Sequence, residues 1–362
     1  MIVFIAVLLI TAFVIERISL ATALSGIEYK YAPSELLVEP DEQFEVVTTL
    51  TNTSRRFIPF IKLDESLPDH AFVQTEGAEL RTDYKGKVRH LSTLYMMPRS
   101  RLTRGVTVSL PKRGLYLLPG AELRGGDFLG LNENSREYPI NEEIVVYPQM
   151  SGAPEVSDVL GGFLGDASVR RFIMEDPVLT VGSREYTGRE PMKTISWPHS
   201  VRMGKLMVKQ FDYTLEPTAS VLLDVEANDA FIGYQETIEE CFSIARTVCQ
   251  ELETRGIKYD FLTNAHTSGA LSHWSYMGEG LGRRHLLTIL EGLGRASYGH
   301  IEPFSKTVEK AIALQDGYKS VIVITPEITP ESRLLIDRLQ AHTGGIVTAI
   351  PAKHQSNSTL EE

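Results

Sequence analysis

The sequence has little cysteine, no excess of basic charge and, after its first fifteen residues, no long apolar run. Only Cys241 and Cys249 occur among 362 residues, which excludes a disulfide framework and favours a reducing compartment. The two thiols lie eight residues apart in a segment that reads as helix, too far for a disulfide within that helix. Acidic side chains number 47 against 36 basic ones, a net charge of -11. A surface of that sign repels phosphate backbones, so nucleic acid is excluded as a partner. Also missing are a Gly-x-Ser-x-Gly elbow, a phosphate-binding Walker loop, a His-Glu-x-x-His pair and a Cys-x-x-Cys pair. His266, His273, His285 and His300 are spaced by 7, 12 and 15 residues and match no metal pattern. The chain therefore reads as a non-enzyme. With 43% apolar and 23% charged residues it is neither wholly disordered nor a polytopic membrane protein, and its length suggests two or three domains.

What is present begins at the N-terminus. Met1 to Ile15 has no charged side chain and one polar residue, Thr11. As helix it would rise about 22 Å, less than the ~30 Å hydrocarbon core, unless it continues through Leu24 past Glu16 and Arg17. A signal peptide would account for Ala21-Thr22-Ala23 but lacks its basic start. A buried core helix is not expected to be apolar on every side from residue 1. The reading taken is a membrane anchor over residues 1–24, with the bulk of the chain cytoplasmic because Arg17 and Lys30 follow the run.

From residue 27 to 150 short apolar runs alternate with Pro, Gly and Asn, and Phe44, Val46, Thr48 and Leu50 recur at every second position. That pattern predicts a β-sandwich. Residues 151–215 form a connecting segment with a compact block at Gly182–Tyr213. From 216 to 352 strands and helices alternate. Ser220–Leu223 and Val321–Thr325 read as buried strands, and Ile238, Cys241, Phe242, Ala245, Val248, Cys249 and Leu252 recur at helical spacing. Thr329-Pro330-Glu331 reads as a helix start. Strand–helix alternation predicts an open parallel sheet covered on both faces, with functional groups at the carboxyl ends of its strands. Those ends are Asp224 to Asn228, Asn264 to His266 and Thr325 to Glu327. The last residues, 353–362, read as a disordered tail. The expected fold class is α+β and multidomain: membrane helix, β-sandwich, then an α/β domain.

The block Gly182-Ser183-Arg184-Glu185-Tyr186, Ile195-Ser196-Trp197, Ser200, Arg202 and Leu206-Met207-Val208 resembles the signature of the domain of unknown function 58 family. Arg113-Gly114-Leu115-Tyr116, Gly126-Asp127-Phe128-Leu129-Gly130-Leu131 and Val145-Val146-Tyr147-Pro148 resemble that family too. The chain departs from it at Arg189-Glu190, where Gly-Asp is usual, and at Lys193, where Arg is usual. The resemblance implies a membrane-anchored N-terminus, a von Willebrand factor A-like domain over 216–352, and partners in a MoxR-type AAA+ ATPase and transglutaminase-like membrane proteins. The function it implies is that of an adaptor in assembly or cell-envelope processes. The alternative is an extracytoplasmic, metal-dependent adhesion or ligand-binding domain.

A von Willebrand factor A-like domain also implies a cation site, Asp-x-Ser-x-Ser with a later Thr and Asp. Here those positions read Asp224-Val225-Glu226-Ala227-Asn228 and Thr325-Pro326-Glu327, a degenerate set. Asp224, Glu226, Asn228, Thr325 and Glu327 offer oxygens that suit Mg²⁺ or another divalent cation. The plainer reading is that Asp224 and Asn228 cap the loop, with no cofactor. In the signature block, Arg184, Glu185, Tyr186, Trp197, His199 and Arg202 combine the residue types that dominate interfaces. They form either a recognition surface or an internal clamp, in which an arginine pairs with a carboxylate and Trp197 packs beneath.

Overall fold

Alternation governs the first 150 residues. In β3 (Gln43–Asn52) the side chains of Phe44, Val46, Thr48, Leu50 and Asn52 are buried, and those between them are partly or fully exposed. A computed structural model describes residues 2–74, 79–82, 86–126, 132–153, 156–163, 180–188, 190–211, 218–227, 233–314 and 319–352. The chain divides into two compact units, one made of Met1–Gln149, Thr267–Ser272 and Leu290–Ala296 and the other of the remainder.

In the first unit β1 (Ile27–Pro33), β3, β8 (Arg101–Ser109) and β5 (Phe72–Gln74) form an antiparallel sheet in the order β1-β3-β8-β5. The other sheet runs β2 (Leu37–Val38), β10 (Glu133–Val146), β9 (Gly114–Gly126), β4 (Ile58–Leu67), β7 (Val88–Met96) and β6 (Glu79–Thr82). It is antiparallel except where β2 meets β10. Residues of both sheets share two apolar clusters, one around Val46, Leu67 and Val108, the other around Leu50, Leu63 and Leu123. Thr48 on β3 and Glu65 on β4 fall between residues of the two clusters and make a buried polar seam across the core.

The second unit contains α2 (156–163), whose Val156, Leu160 and Phe163 are buried at spacings of four and three. The antiparallel pair β11 (Thr180–Glu185) and β12 (Met207–Phe211) follows, with α3 (Trp197–Met203) between them in sequence. A five-stranded sheet then runs β16 (Tyr276–Gly280), β14 (Lys258–Thr263), β13 (Thr218–Leu223), β18 (Ser320–Thr325) and β19 (Val347–Pro351). Two short strands, β15 (Ala265–Thr267) and β17 (Ala296–His300), lie outside this sheet. The helices are α4 (Tyr234–Thr254), α6 (Phe304–Ala313), α7 (Pro330–His342) and the first part of α5 (Arg283–Arg295), whose residues from Leu290 on belong to the first unit. β18 is buried along its whole length. Its Val321 and Val323 join Leu222, Leu262, Phe304, Val308 and Leu339 in one apolar core.

Three expectations need correction. The fold class is not the α+β arrangement with a membrane helix: among the described residues strand outweighs helix, in several antiparallel and mixed sheets. The sequence pattern underweights them because strands such as β10 are exposed over most of their length and carry no apolar alternation there. Nor is the sheet of the second unit purely parallel, since β16 pairs antiparallel with β14 at its edge. Finally, among the described residues no helix is long and apolar enough to cross a membrane. The helix α1 (Ile2–Thr22) exists, but its uncharged stretch from Ile2 to Ile15 rises only about 21 Å before Glu16 and Arg17 interrupt it. The membrane anchor, and the cytoplasmic placement derived from it, are therefore not supported. The expected tail at 353–362 and the Asp127–Leu131 part of the family motif lie outside the described residues.

Candidate functional site

Parallel strands β13 and β18 run side by side and end together, so Asp224 and Thr325 emerge at one edge of the sheet. β14, on the other side of β13, brings Asn264 to the same place. The Asp224 amide donates to the Ile324 carbonyl at 2.8 Å, which fixes the backbone where the strand ends. Its carboxylate is 3% exposed and accepts three hydrogen bonds. Asn264 Nδ2 and the Glu226 amide each donate to Oδ1 at 2.8 Å, and Thr325 Oγ1 donates to Oδ2 at 3.1 Å. Asn264 Oδ1 accepts from the Val225 amide at 2.9 Å, which sets the orientation of the amide group. Burial pushes the Asp224 carboxyl up to about 6, against the opposing pull of the hydrogen bonds from Glu226, Asn264 and Thr325.

The neighbours named from sequence are dispersed around this cluster. Glu226 is exposed, and its Oε2 accepts from the Phe304 amide at 2.8 Å, at the first turn of α6. The Glu327 side chain is exposed, and only its backbone carbonyl approaches Thr325 Oγ1, at 3.2 Å. Asn228 lies outside the described residues. Of the five oxygen donors read from the sequence, the structure brings Asp224 and Thr325 into contact. Asn264, expected at a strand's carboxyl end, was not among the expected oxygen donors: a single Asn after a strand gives no spacing signal, and only the adjacency of β13 and β14 makes it a partner of Asp224.

The signature block is organised differently. β11 and β12 hold it, and Ser200, buried, donates to the Ser196 carbonyl and accepts from the Met207 amide, both at 2.8 Å. Ser200 thus ties α3 to β12 through backbone groups. Arg184 pairs with Glu190 at 2.6 Å and Glu185 with Lys205 at 2.8 Å, while the Tyr186 amide donates to the Leu206 carbonyl. Arg202 is exposed. Trp197 is 58% exposed and so is not packed beneath the block as a clamp would require. Met192, Val201, Met203 and Leu206 are exposed with it, Val201 by 82%. Cys241 and Cys249 are free and buried, and burial raises both thiols far above their ordinary value.

No protein-family model matches the chain. It is 22% identical over 321 residues to the uncharacterized protein YeaD of Bacillus subtilis (strain 168), a match covering 84% of this chain and 72% of the relative. Among solved structures, AvmM, which catalyses macrocyclization in alchivemycin A biosynthesis, is 11% identical with a TM-score of 0.19, over 32% of this chain and 89% of its own. The ASH/PapD-like domain of human CEP192 is 12% identical with a TM-score of 0.20, over 34% of this chain and 87% of its own. Likenesses of that size carry no argument about fold or activity.

Proposed function

We propose that this protein acts by binding another protein, as a non-enzymatic adaptor, and that its partner is a MoxR-type AAA+ ATPase, as the family resemblance implies. The observation that carries the reading is the exposed apolar group on the signature block. Trp197 and Val201 are one helical turn apart on α3 and so share a face, and Met192, Met203 and Leu206 stand exposed nearby in the chain. An indole left in water is a residue type enriched in interface hot spots, and an exposed apolar group around it marks an interaction site. Between Pro191 and Phe211 the chain carries Lys193, Arg202, Lys205 and Lys209 and no acid, against a net charge of -11 for the whole. That local excess of bases, Lys205 being paired with Glu185, supports binding to an acidic protein surface.

The test is binding of the purified full chain to the purified MoxR-type ATPase of the same organism, with and without ATP, by biolayer interferometry. The double variant Trp197→Ala/Val201→Ser is expected to weaken binding by at least about tenfold, or 1.4 kcal/mol. No binding by the wild-type chain, or binding that the double variant leaves unchanged, overturns the proposal.

A further inference from the structure

The resemblance implies a divalent cation held at Asp224, and the geometry there points elsewhere. We infer that the Asp224 cluster is a cation-independent latch, in which donor groups of Asn264, Thr325 and the Glu226 amide occupy most of the accepting directions of the Asp224 carboxylate. Mg²⁺ needs about six oxygen ligands at about 2.0–2.1 Å in near-octahedral order. A carboxylate offers roughly four lone-pair directions, and three of those on Asp224 are taken by protein donors. The nearest group from β14 presents the wrong polarity. Asn264 turns its amide nitrogen to Asp224 at 2.8 Å, and its oxygen, the atom a cation would use, is engaged by the Val225 amide. Glu226, the other acid of the degenerate motif, is committed to the Phe304 amide at the start of α6, where the first amides of a helix lack partners within it. The latch thus joins the ends of β13, β14 and β18 directly and reaches α6 through Glu226, with hydrogen bonds alone.

Thermal melting of the full chain decides this, read in EDTA and in millimolar MgCl₂, MnCl₂ or CaCl₂. The wild-type midpoints are expected to agree within about 1 °C. Asn264→Asp replaces the amide donor with a second carboxylate. It should melt lower than wild type in EDTA and regain several degrees in MnCl₂, so that a cation response appears only once Asn264 is changed. A wild-type midpoint that rises by about 4 °C or more with a cation, and loses that rise in Asp224→Asn, overturns the inference. A rise that Asp224→Asn leaves intact comes from elsewhere on the acidic surface and upholds it. Wild-type midpoints that do not move uphold the inference without either variant. Should Asp224→Asn not fold, a rise in wild type that exceeds about 4 °C at a stoichiometric cation concentration overturns it.

Discussion

Glu65 shows what one residue can demand of a β core. It is fully buried and carries a charge that water would otherwise stabilise. Thr48 Oγ1 and Tyr29 Oη donate to its Oε1, while Arg104 and His90 Nδ1 sit at 2.7 and 2.9 Å from its Oε2. Burial pushes the carboxyl up, but hydrogen bonds from His90 and Thr48 and the Arg104 charge outweigh it and hold the group below its ordinary 4.5. The same burial, with Glu65 close by, pushes the Tyr29 and Tyr31 hydroxyls up, so both stay protonated donors. His90 Nε2 has no hydrogen-bond partner among the described residues, so the seam is tightly committed on one side of the imidazole only. Glu65→Gln keeps the shape and removes the charge, and should cost about 1–3 kcal/mol at pH 7 by urea denaturation. A depressed carboxyl contributes stability above its unfolded value and loses it as pH falls through the folded one. The gap between wild type and Glu65→Gln should therefore narrow below about pH 4.5. A gap that stays constant down to pH 3 would sink this account. The polar seam was not legible in the sequence. Glu65 occupies the inward phase of β4, between Leu63 and Leu67, where alternation alone predicts an apolar residue.

Among the elements, α7 is the one most fully written in local sequence. Thr329 Oγ1 accepts from the Ser332 amide at 3.1 Å and Ser332 Oγ accepts from the Thr329 amide at 2.8 Å, a reciprocal cap. Pro330 sits at the first helical position and Glu331 in the first turn, where a missing N–H costs nothing and a negative charge meets the helix dipole. Thr329→Ala should destabilise by about 1 kcal/mol, read as a lowered melting midpoint, with Thr329→Ser close to wild type. If the two substitutions cost the same, the hydroxyl contributes nothing. Other elements leave no such local trace. β10 is polar along most of its length because its outer face meets water, and its place between β2 and β9 is decided by pairing partners far away in the chain. Gly120 belongs to the same long hairpin. Its φ of +113° suits glycine, and a Cβ there would collide with the Tyr138 carbonyl across the ladder.

At the scale of the whole molecule, charge is the property that composition states outright. With a net charge of -11 and a pI near 5.4, solubility should pass through a minimum close to pH 5.4 and recover above pH 7. Turbidity against pH at fixed protein concentration measures this, and a minimum displaced by more than about one pH unit would show that buried or paired groups dominate the titration. The stretch from Pro191 to Phe211, with four bases and no acid, stands out against that background. Short-range features were readable from residues alone: the cap of α7, the alternation of β3, the helical spacing in α4 and the buried run of β18. They depend on neighbours within a turn or two, whose geometry the backbone imposes. Tertiary structure alone decided that β16 closes the sheet antiparallel, that Trp197 faces solvent, and that Glu65 meets His90 and Arg104 in the core. It alone turned Asn264 toward Asp224 with a donor instead of an acceptor. Apart from the exposure of Trp197, each of these is a contact made by tertiary folding, and its sign depends on orientation, which residue identity does not specify; Trp197 is exposed because no such contact covers it among the described residues.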